Sequence, residues 1–289
     1  MSHIFIAGCG DIGQRVAILW QQHGASVTVL ARNPTRAAEY VAHGLIPVIG
    51  DLDQPATLPK PQPGALIYYF APPPLRGTTD PRMHHFLQAI RSDALPARIV
   101  YISTSGVYGD VHGAWVTEES PVHPTTDRSR RRLDAEQALQ QWSTLNRVPI
   151  VILRVPGIYG PGRLPIEVVK SGRPILRESE SMYSNRIHAD DLANVAVVAG
   201  LDDRPPGIYN VSDGQPGTMA QYFKAVADLI GVPRPPEVSL DEAQRILSAE
   251  MMSYLTESRR IDNAKMLRDL RVSLRYPNLA DGLRYGCAE

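Results

Sequence analysis

Short apolar runs alternate with amphipathic stretches along the first half of the chain. Ile4-Phe5-Ile6-Ala7 is an unbroken apolar run, the pattern of a strand buried on both faces of a parallel sheet. Behind it, Ile12, Val16, Leu19 and Trp20 recur at helical spacing, and Gly24 supplies the stop. The alternation then repeats. Ser26–Ala31 is rich in β-branched residues and predicts a second strand. Asn33 suits an N-cap with Pro34 in the first helical position, and Gly44 ends that helix. Strands are predicted over residues 45–49 and 64–70, the latter stopped by Pro72, Pro73 and Pro74. A helix over 80–92, a strand over 98–103, a helix over 126–146 and a strand over 150–155 complete the series.

Strands alternating with helices specify a parallel sheet with right-handed crossovers. The fold class is therefore α/β, a doubly wound parallel-sheet Rossmann fold. From Pro156 the rhythm changes, with prolines and glycines crowding residues 156–174. A helix is predicted over 190–201, a strand over 207–211 that rejoins the sheet, helices over 217–231 and 240–251, and short helices among Arg-rich loops in the tail. Residues 1–155, with 186–212 returning to them, are expected to form the dinucleotide domain. Residues 156–185 and 213–289 are expected to form a smaller interleaved substrate domain, closing a cleft above the C-terminal strand ends where open α/β sheets bind ligands.

The chemistry concentrates first in Gly8-Cys9-Gly10-Asp11-Ile12-Gly13, which sits between the first strand and first helix. Gly8 suits the tight turn, Gly10 lets a diphosphate approach the main chain, and Gly13 lets helix and strand pack closely. The helix N-terminus offers free N–H groups and partial positive charge to the phosphates. About twenty residues on, at the end of the second strand, an NAD site usually carries Asp or Glu for the ribose 2′-hydroxyl. This chain has Arg32 there, which suits a 2′-phosphate held by a charge-assisted fork. NADP(H) is favoured, with NAD(H) the alternative.

Composition narrows the partners. The chain has 289 residues with 30 basic and 30 acidic side chains, so no bulk charge favours nucleic acid or an anionic membrane. An apolar fraction of 43% supports a core, and no run approaches the ~20 residues needed to cross a bilayer. The first strand begins almost at once, so no signal peptide is expected and a cytoplasmic location is the plain expectation. Two cysteines, Cys9 and Cys287, suggest neither a disulfide framework nor a metal site. His84 and His85 lack ligand spacing, and no metal is expected.

Several segments together resemble the extended and atypical short-chain dehydrogenase/reductases, the NAD-dependent epimerase/dehydratase family. Arg32-Asn33-Pro34 followed by Gly50-Asp51-Leu52 is similar to the NADP-binding pattern of atypical members, with the Asp-Leu pair near the adenine. Residues 102–109, Ile-Ser-Thr-Ser-Gly-Val-Tyr-Gly, resemble the strand-five active-site segment. Residues 154–162, Arg-Val-Pro-Gly-Ile-Tyr-Gly-Pro-Gly, resemble the strand-six segment lining nicotinamide and substrate. Residues 185–192, Asn-Arg-Ile-His-Ala-Asp-Asp-Leu, match the substrate-domain signature, and 258–265 match the family's closing block. The resemblance implies cofactor contacts from Gly8, Gly10, Asp11, Ile12, Gly13, Arg32, Asp51, Leu52, Ala71, Pro72, Thr104, Arg132, Val155 and Gly157. It implies substrate contacts from Ser105, Tyr159 and Arg186, whose family counterpart often meets substrate phosphate. Family members are often dimers packed through the helices flanking the sheet.

The family's chemistry uses a Tyr-x-x-x-Lys pair on the helix after strand five. Isolated tyrosine has a pKa near 10, and a lysine one turn away favours the phenolate while holding the nicotinamide ribose. No tyrosine or lysine occurs between Gly109 and Ile158. Registering that helix on Ala135-Glu136 puts Arg128 in the tyrosine position and Arg132 in the lysine position. Arg132 keeps the charge and can donate to ribose hydroxyls, whereas a guanidinium stays protonated and is no base. Thr104 stands where the family has its catalytic Ser or Thr. Tyr108 and Tyr159 are the nearest phenols, with loop packing as their other reading. His188 reads as a loop-ordering residue before a base. The run Arg128, Arg130, Arg131, Arg132 reads as a solvated face, or as a grip on an anion through Arg128 or Arg132. Two functions stay open: an NADP(H)-dependent oxidoreductase or epimerase on a small polar or nucleotide-linked substrate, and a silent NADP(H)-sensing or regulatory protein.

Overall fold

The computed structural model describes residues 3–246, 252 and 257–287. By internal contacts the chain forms two units. The first comprises residues 1–104, 127–154 and 192–209; the second comprises 105–126, 155–191 and 210–289.

The first unit is built on a seven-stranded sheet. Its strands are β1 (His3–Ala7), β2 (Ser26–Ala31), β3 (Ile46–Ile49), β4 (Leu66–Tyr69), β5 (Arg98–Thr104), β6 (Ile150–Val155) and β7 (Gly207–Asn210). They lie in the order β7-β6-β5-β4-β1-β2-β3. β1 pairs in parallel with β2 and β4, β2 with β3, and β4 with β5. The strand order therefore reverses at β1, with β2 on one side and β4 on the other, which opens a ligand crevice at its carboxyl end. The α/β Rossmann reading holds, and residues 207–210 do rejoin the sheet.

Helices α1 (Asp11–Gln22), α2 (Pro34–Ala42), α3 (Pro81–Ala89) and α4 (Asp127–Asn146) connect these strands. Asn33 caps α2 as its sequence predicts, its Oδ1 accepting the Arg36 N–H at 2.9 Å. Asp80 caps α3, accepting from Arg82 and Met83 N–H groups. The helix predicted to run to residue 92 ends at Ala89, because Ile90 turns to an extended conformation at ψ 120°. Phe5, Ile67, Tyr69, Phe86, Tyr101 and Leu139 join one core between the sheet and α3 and α4. Burying each such side chain contributes about 1.5–3 kcal/mol.

Arg98, the first residue of β5, is only 4% exposed. Its Nη1 donates to the Ala199 carbonyl at 3.0 Å and its Nη2 to the Asp202 carbonyl at 3.4 Å. Ala199 is the last residue of α5 (Ala189–Ala199), so the buried cation meets the negative end of that helix.

Among its described residues the second unit has no large sheet. Pairs of two- and three-residue strands tie its separate segments: Trp115–Val116 to Arg260–Ile261, Gly157–Tyr159 to Arg186–His188, Tyr183–Ser184 to Gly217–Thr218, and Ile175–Leu176 to Glu237–Val238. The first pairing joins residues 105–126 to the tail. Helix α6 (Met219–Leu229) starts with a reciprocal capping box between Thr218 and Gln221. Tyr159, Val169, Tyr222, Val226 and Leu283 form this unit's core. Of the helix predicted over 240–251, Leu240–Ile246 is helical and residues 247–251 lie outside the described residues.

Candidate functional site

A cavity of about 350 Å³ opens at the carboxyl ends of β1, β2 and β4. Gly8, Gly10, Arg32, Asp51, Leu52, Ala71 and Pro72, all expected in a cofactor site, line it. Cys9, Asn33, Arg36, Tyr40 and Arg82 line it too, and the sequence reading had not assigned them to it.

The glycine loop has its shape for identifiable reasons. Gly8 holds φ at +96°, and a Cβ there would stand 2.2 Å from the Ala71 nitrogen. A Cβ on Gly13 would stand 2.8 Å from the Gly8 carbonyl oxygen, so the α1 backbone packs directly on the loop. Gly10 differs, since its Cβ would meet nothing within 4 Å. Open space above Gly10 and the exposed N-terminus of α1 fit a diphosphate approaching the main chain. Asp11 and Ile12 do not line the cavity: Asp11 pairs with Arg15 at 2.9 Å, and Ile12 is buried.

The far side of the cavity is cationic. Arg32 and Asn33 close the end of β2, and Arg36 rises from the first turn of α2. The Arg36 guanidinium pairs with Glu39, and its Nε donates to the Tyr40 hydroxyl at 3.2 Å. Tyr40 in turn donates to the Cys9 carbonyl at 2.8 Å. Burial pushes the Cys9 thiol up to about 12, so this cysteine is not a thiolate at neutral pH. Arg82 grips both Asp53 carboxylate oxygens, at 2.7 and 2.5 Å, and the Pro72 carbonyl at 2.9 Å. The Arg82 hydrogen bonds hold the Asp53 carboxyl below its ordinary range.

On α4, Arg131 and Arg132 hold backbone carbonyls. Arg132 Nη1 donates to the Ile102 carbonyl at 3.0 Å and to the Tyr101 hydroxyl at 3.4 Å. Arg131 is buried and donates to the Gly77 carbonyl at 2.6 Å. The arginine run is thus not the solvated face it suggests in sequence; of these, Arg130 is exposed, paired with Asp127 at 2.8 Å. Thr104 ends β5 and is partly exposed. Its neighbour Ser103 donates to Glu136, which is clasped by Arg154 at 2.8 Å, with the two side chains only 1% and 5% exposed. Val155, the last residue of β6, is buried. His84 meets Asp134 at 3.1 Å and His85 meets the Leu52 carbonyl at 2.7 Å. Among the described residues no group of three metal-binding side chains converges.

In the second unit, Tyr108 is fully buried and donates to Asn210 Oδ1 at 2.7 Å. Tyr159 is also fully buried and donates to the Asn278 carbonyl at 3.3 Å; burial pushes its phenol far above the usual tyrosine range. Both hydroxyls are hydrogen-bonded inside the unit. His188 is wedged between Tyr159 and Tyr276, with ring centroids 5.2 and 4.1 Å away. Ser105 is buried in a short 3-10 turn, Ser105–Tyr108.

Arg186 is different. Its guanidinium stacks 3.8 Å above the centre of the Tyr222 ring. Its Nη2 meets only Ser184 Oγ at 3.4 Å and Met219 Sδ at 2.9 Å. Among the described residues, no carboxylate lies within ion-pair reach of it, and burial lowers its pKa. Gly157 leaves it room, since a Cβ there would stand 2.3 Å from Arg186 Nη1. A guanidinium with donors left over in this way is chemically suited to an anion.

Comparison with known proteins agrees with this geometry. Residues 83–212 match the model of the NAD dependent epimerase/dehydratase family, and residues 4–62 match that of the TrkA-N domain. Residues 83–212, a little under half of the chain, are thus similar to that family. A human dTDP-D-glucose 4,6-dehydratase is 25% identical over 154 residues, covering 50% of this chain and 44% of that protein. The chain thus spans about half the length of the curated relatives it matches. A functionally unknown conserved protein from Silicibacter pomeroyi superposes with a TM-score of 0.80 at 28% identity, covering 98% of this chain and 97% of that one. MoeE5, solved in complex with UDP-glucose and NAD, superposes with a TM-score of 0.75 at 20% identity over 99% of this chain and 97% of its own, a likeness of fold. No helix among the described residues is long and apolar enough to cross a membrane.

Proposed function

We propose that this chain binds NADP(H) and acts as an oxidoreductase or epimerase on a small, anionic, nucleotide-linked substrate. The observation that carries the reading is the arginine-lined end of the cavity, with Arg32 and Arg36 where an NAD site has a carboxylate. The α1 N-terminus and the Gly10 backbone hold the diphosphate, and Arg32 takes the 2′-phosphate. NADP(H), when bound, supplies hydride exchange at its nicotinamide ring. Thr104 orients a substrate oxygen by hydrogen bonding, and Arg132 fixes the end of β5 beside it; in the second unit, Arg186 is the side chain suited to an anion. No phenol–lysine pair serves as acid or base, so the proton is exchanged with solvent or within the substrate.

The test is calorimetric titration with NADPH and NADH, followed by NADPH oxidation assays over nucleotide sugars, aldehydes and ketones. NADPH is expected to bind at least about tenfold tighter, a difference of 1.4 kcal/mol or more. Absence of binding by either coenzyme overturns the reading.

A second reading is favoured by one observation: Arg132 and the Tyr108 and Tyr159 hydroxyls are all committed to internal hydrogen bonds. Under it the protein holds NADP(H) without turnover and reports the NADPH/NADP+ ratio to a partner. It predicts silence across the substrate panel together with a conformational or partner response to that ratio.

A further inference from the structure

Arg82 stands in the first turn of α3, a place where a cation opposes the helix dipole. Asp80 already accepts from the Arg82 and Met83 N–H groups, so starting this helix does not call for an arginine side chain. That side chain is only 18% exposed, and it lines the cavity. All three guanidinium nitrogens are engaged. Nε and Nη2 fork onto the two Asp53 oxygens at 2.7 and 2.5 Å, and Nη1 donates to the Pro72 carbonyl at 2.9 Å. Asp53 is 47% exposed, and an ion pair so open to water adds little to stability.

What the three bonds do is tie two walls of the cavity together. Asp53 directly follows the lining residues Asp51 and Leu52, and Pro72 is itself a lining residue next to Ala71. One rigid, planar group therefore fixes the separation of the two segments. Leu52, Ala71 and Pro72 are apolar there, which suits the flat face of a base better than a phosphate. Asp53 balances the Arg82 charge, whereas Arg32 and Arg36 stand at the end of β2 and the start of α2. The hydrogen bonds of Arg82 run in the plane of its guanidinium, so the surface it keeps for a ligand is the flat face, which stacks on aromatic rings.

We propose that Arg82 is a specificity-determining residue for the purine of the coenzyme, tying segments 51–53 and 71–72 into a slot and stacking its guanidinium face on the base. This rests on the NADP(H) reading above, in which the base hangs from the same ribose as the 2′-phosphate. Loss of Arg82 removes the stacking surface and the tie at once, so the penalty falls on the base and spares the phosphate.

The test is calorimetric titration of the full chain with adenosine 2′-monophosphate and cytidine 2′-monophosphate, which share sugar and phosphate and differ in the base. Wild type is expected to prefer the adenosine compound, whose larger ring covers more of the guanidinium. In Arg82→Leu the adenosine compound should lose about tenfold in affinity and the cytidine compound less than about threefold, so the preference narrows. Arg82→Lys keeps the charge without the plane or the fork, and is expected to behave like Arg82→Leu. A fold merely loosened by the substitution would weaken both nucleotides alike. Equal losses, an unchanged adenosine affinity in Arg82→Leu, a full preference kept by Arg82→Lys, or no preference in wild type overturns the proposal and leaves the NADP(H) reading intact. Failure of wild type to bind NADPH or either nucleotide overturns both.

Discussion

The Tyr40 hydroxyl donates to the Cys9 carbonyl at 2.8 Å, tying helix α2 to the middle of the glycine loop. Arg36 donates to that same hydroxyl, so one phenol joins the cationic end of the cavity to the loop that faces the diphosphate. Tyr40→Phe is expected to cost about 0.5–1.5 kcal/mol of stability. It should weaken NADPH and NADH to similar extents, because the loop serves both. Thermal melts and calorimetry on the variant check this.

Arg32→Asp separates the two coenzymes. On the function proposed above, it removes the ligand of the 2′-phosphate and supplies a carboxylate for a ribose hydroxyl. NADPH affinity should fall at least about tenfold, or 1.4 kcal/mol, with NADH affinity kept or improved. Equal loss of both would refute the role of Arg32.

Gly8 and Gly10 should respond oppositely to the same substitution. Gly8→Ala forces a Cβ to 2.2 Å from the Ala71 nitrogen at a φ of +96°, and is expected to cost more than about 2 kcal/mol. Gly10→Ala meets no protein atom within 4 Å at a φ of −80°, so stability should stay within about 0.5 kcal/mol of wild type. Its methyl group enters the space assigned to the diphosphate, and coenzyme affinity should drop sharply. Denaturation curves beside binding isotherms show whether the two effects divide this way.

Glu136 and Arg154 form a buried pair at 2.8 Å between α4 and β6. Glu136→Ala strands the guanidinium without its partner and is expected to cost about 3–5 kcal/mol. Urea unfolding at neutral pH measures it; a loss under about 1 kcal/mol would mean that water reaches the cation.

Asp213, buried in the second unit, gives stability a pH slope. Its folded pKa of about 7 lies above the unfolded carboxylate value near 4. The folded state therefore binds the extra proton, and stability falls as pH rises from about 4 to 7. Asp213→Asn should match wild type in melting temperature at pH 4 and exceed it at pH 8. Equal gaps at both pH values would show that the carboxyl ionises freely in the fold.

Much of this was readable in the chain because the cues are local. Gly8 needs a positive φ, Asn33-Pro34 starts a helix, and Arg32 is placed by counting from the loop. Arg36, Tyr40 and Arg82 gave no such cue. At helical spacing Tyr40 looks like any core aromatic, and its bond to Cys9 spans 31 positions. Arg82 reaches Asp53 from 29 residues away. The two-residue strands of the second unit are too short to show a period, so the pairing of Trp115–Val116 with Arg260–Ile261 left no trace in the pattern. The arginine run on α4 misleads because Arg131 and Arg132 turn to carbonyls at Gly77 and Ile102, which composition does not reveal.

Arg98 sets an order on biosynthesis. Its carbonyl acceptors lie 101 and 104 positions downstream, so a ribosome must translate that whole interval before the guanidinium finds them. A nascent chain stopped short of Ala199 would carry a stranded cation at the foot of β5. Truncation after β6 should accordingly yield an aggregation-prone fragment rather than an autonomous nucleotide-binding module.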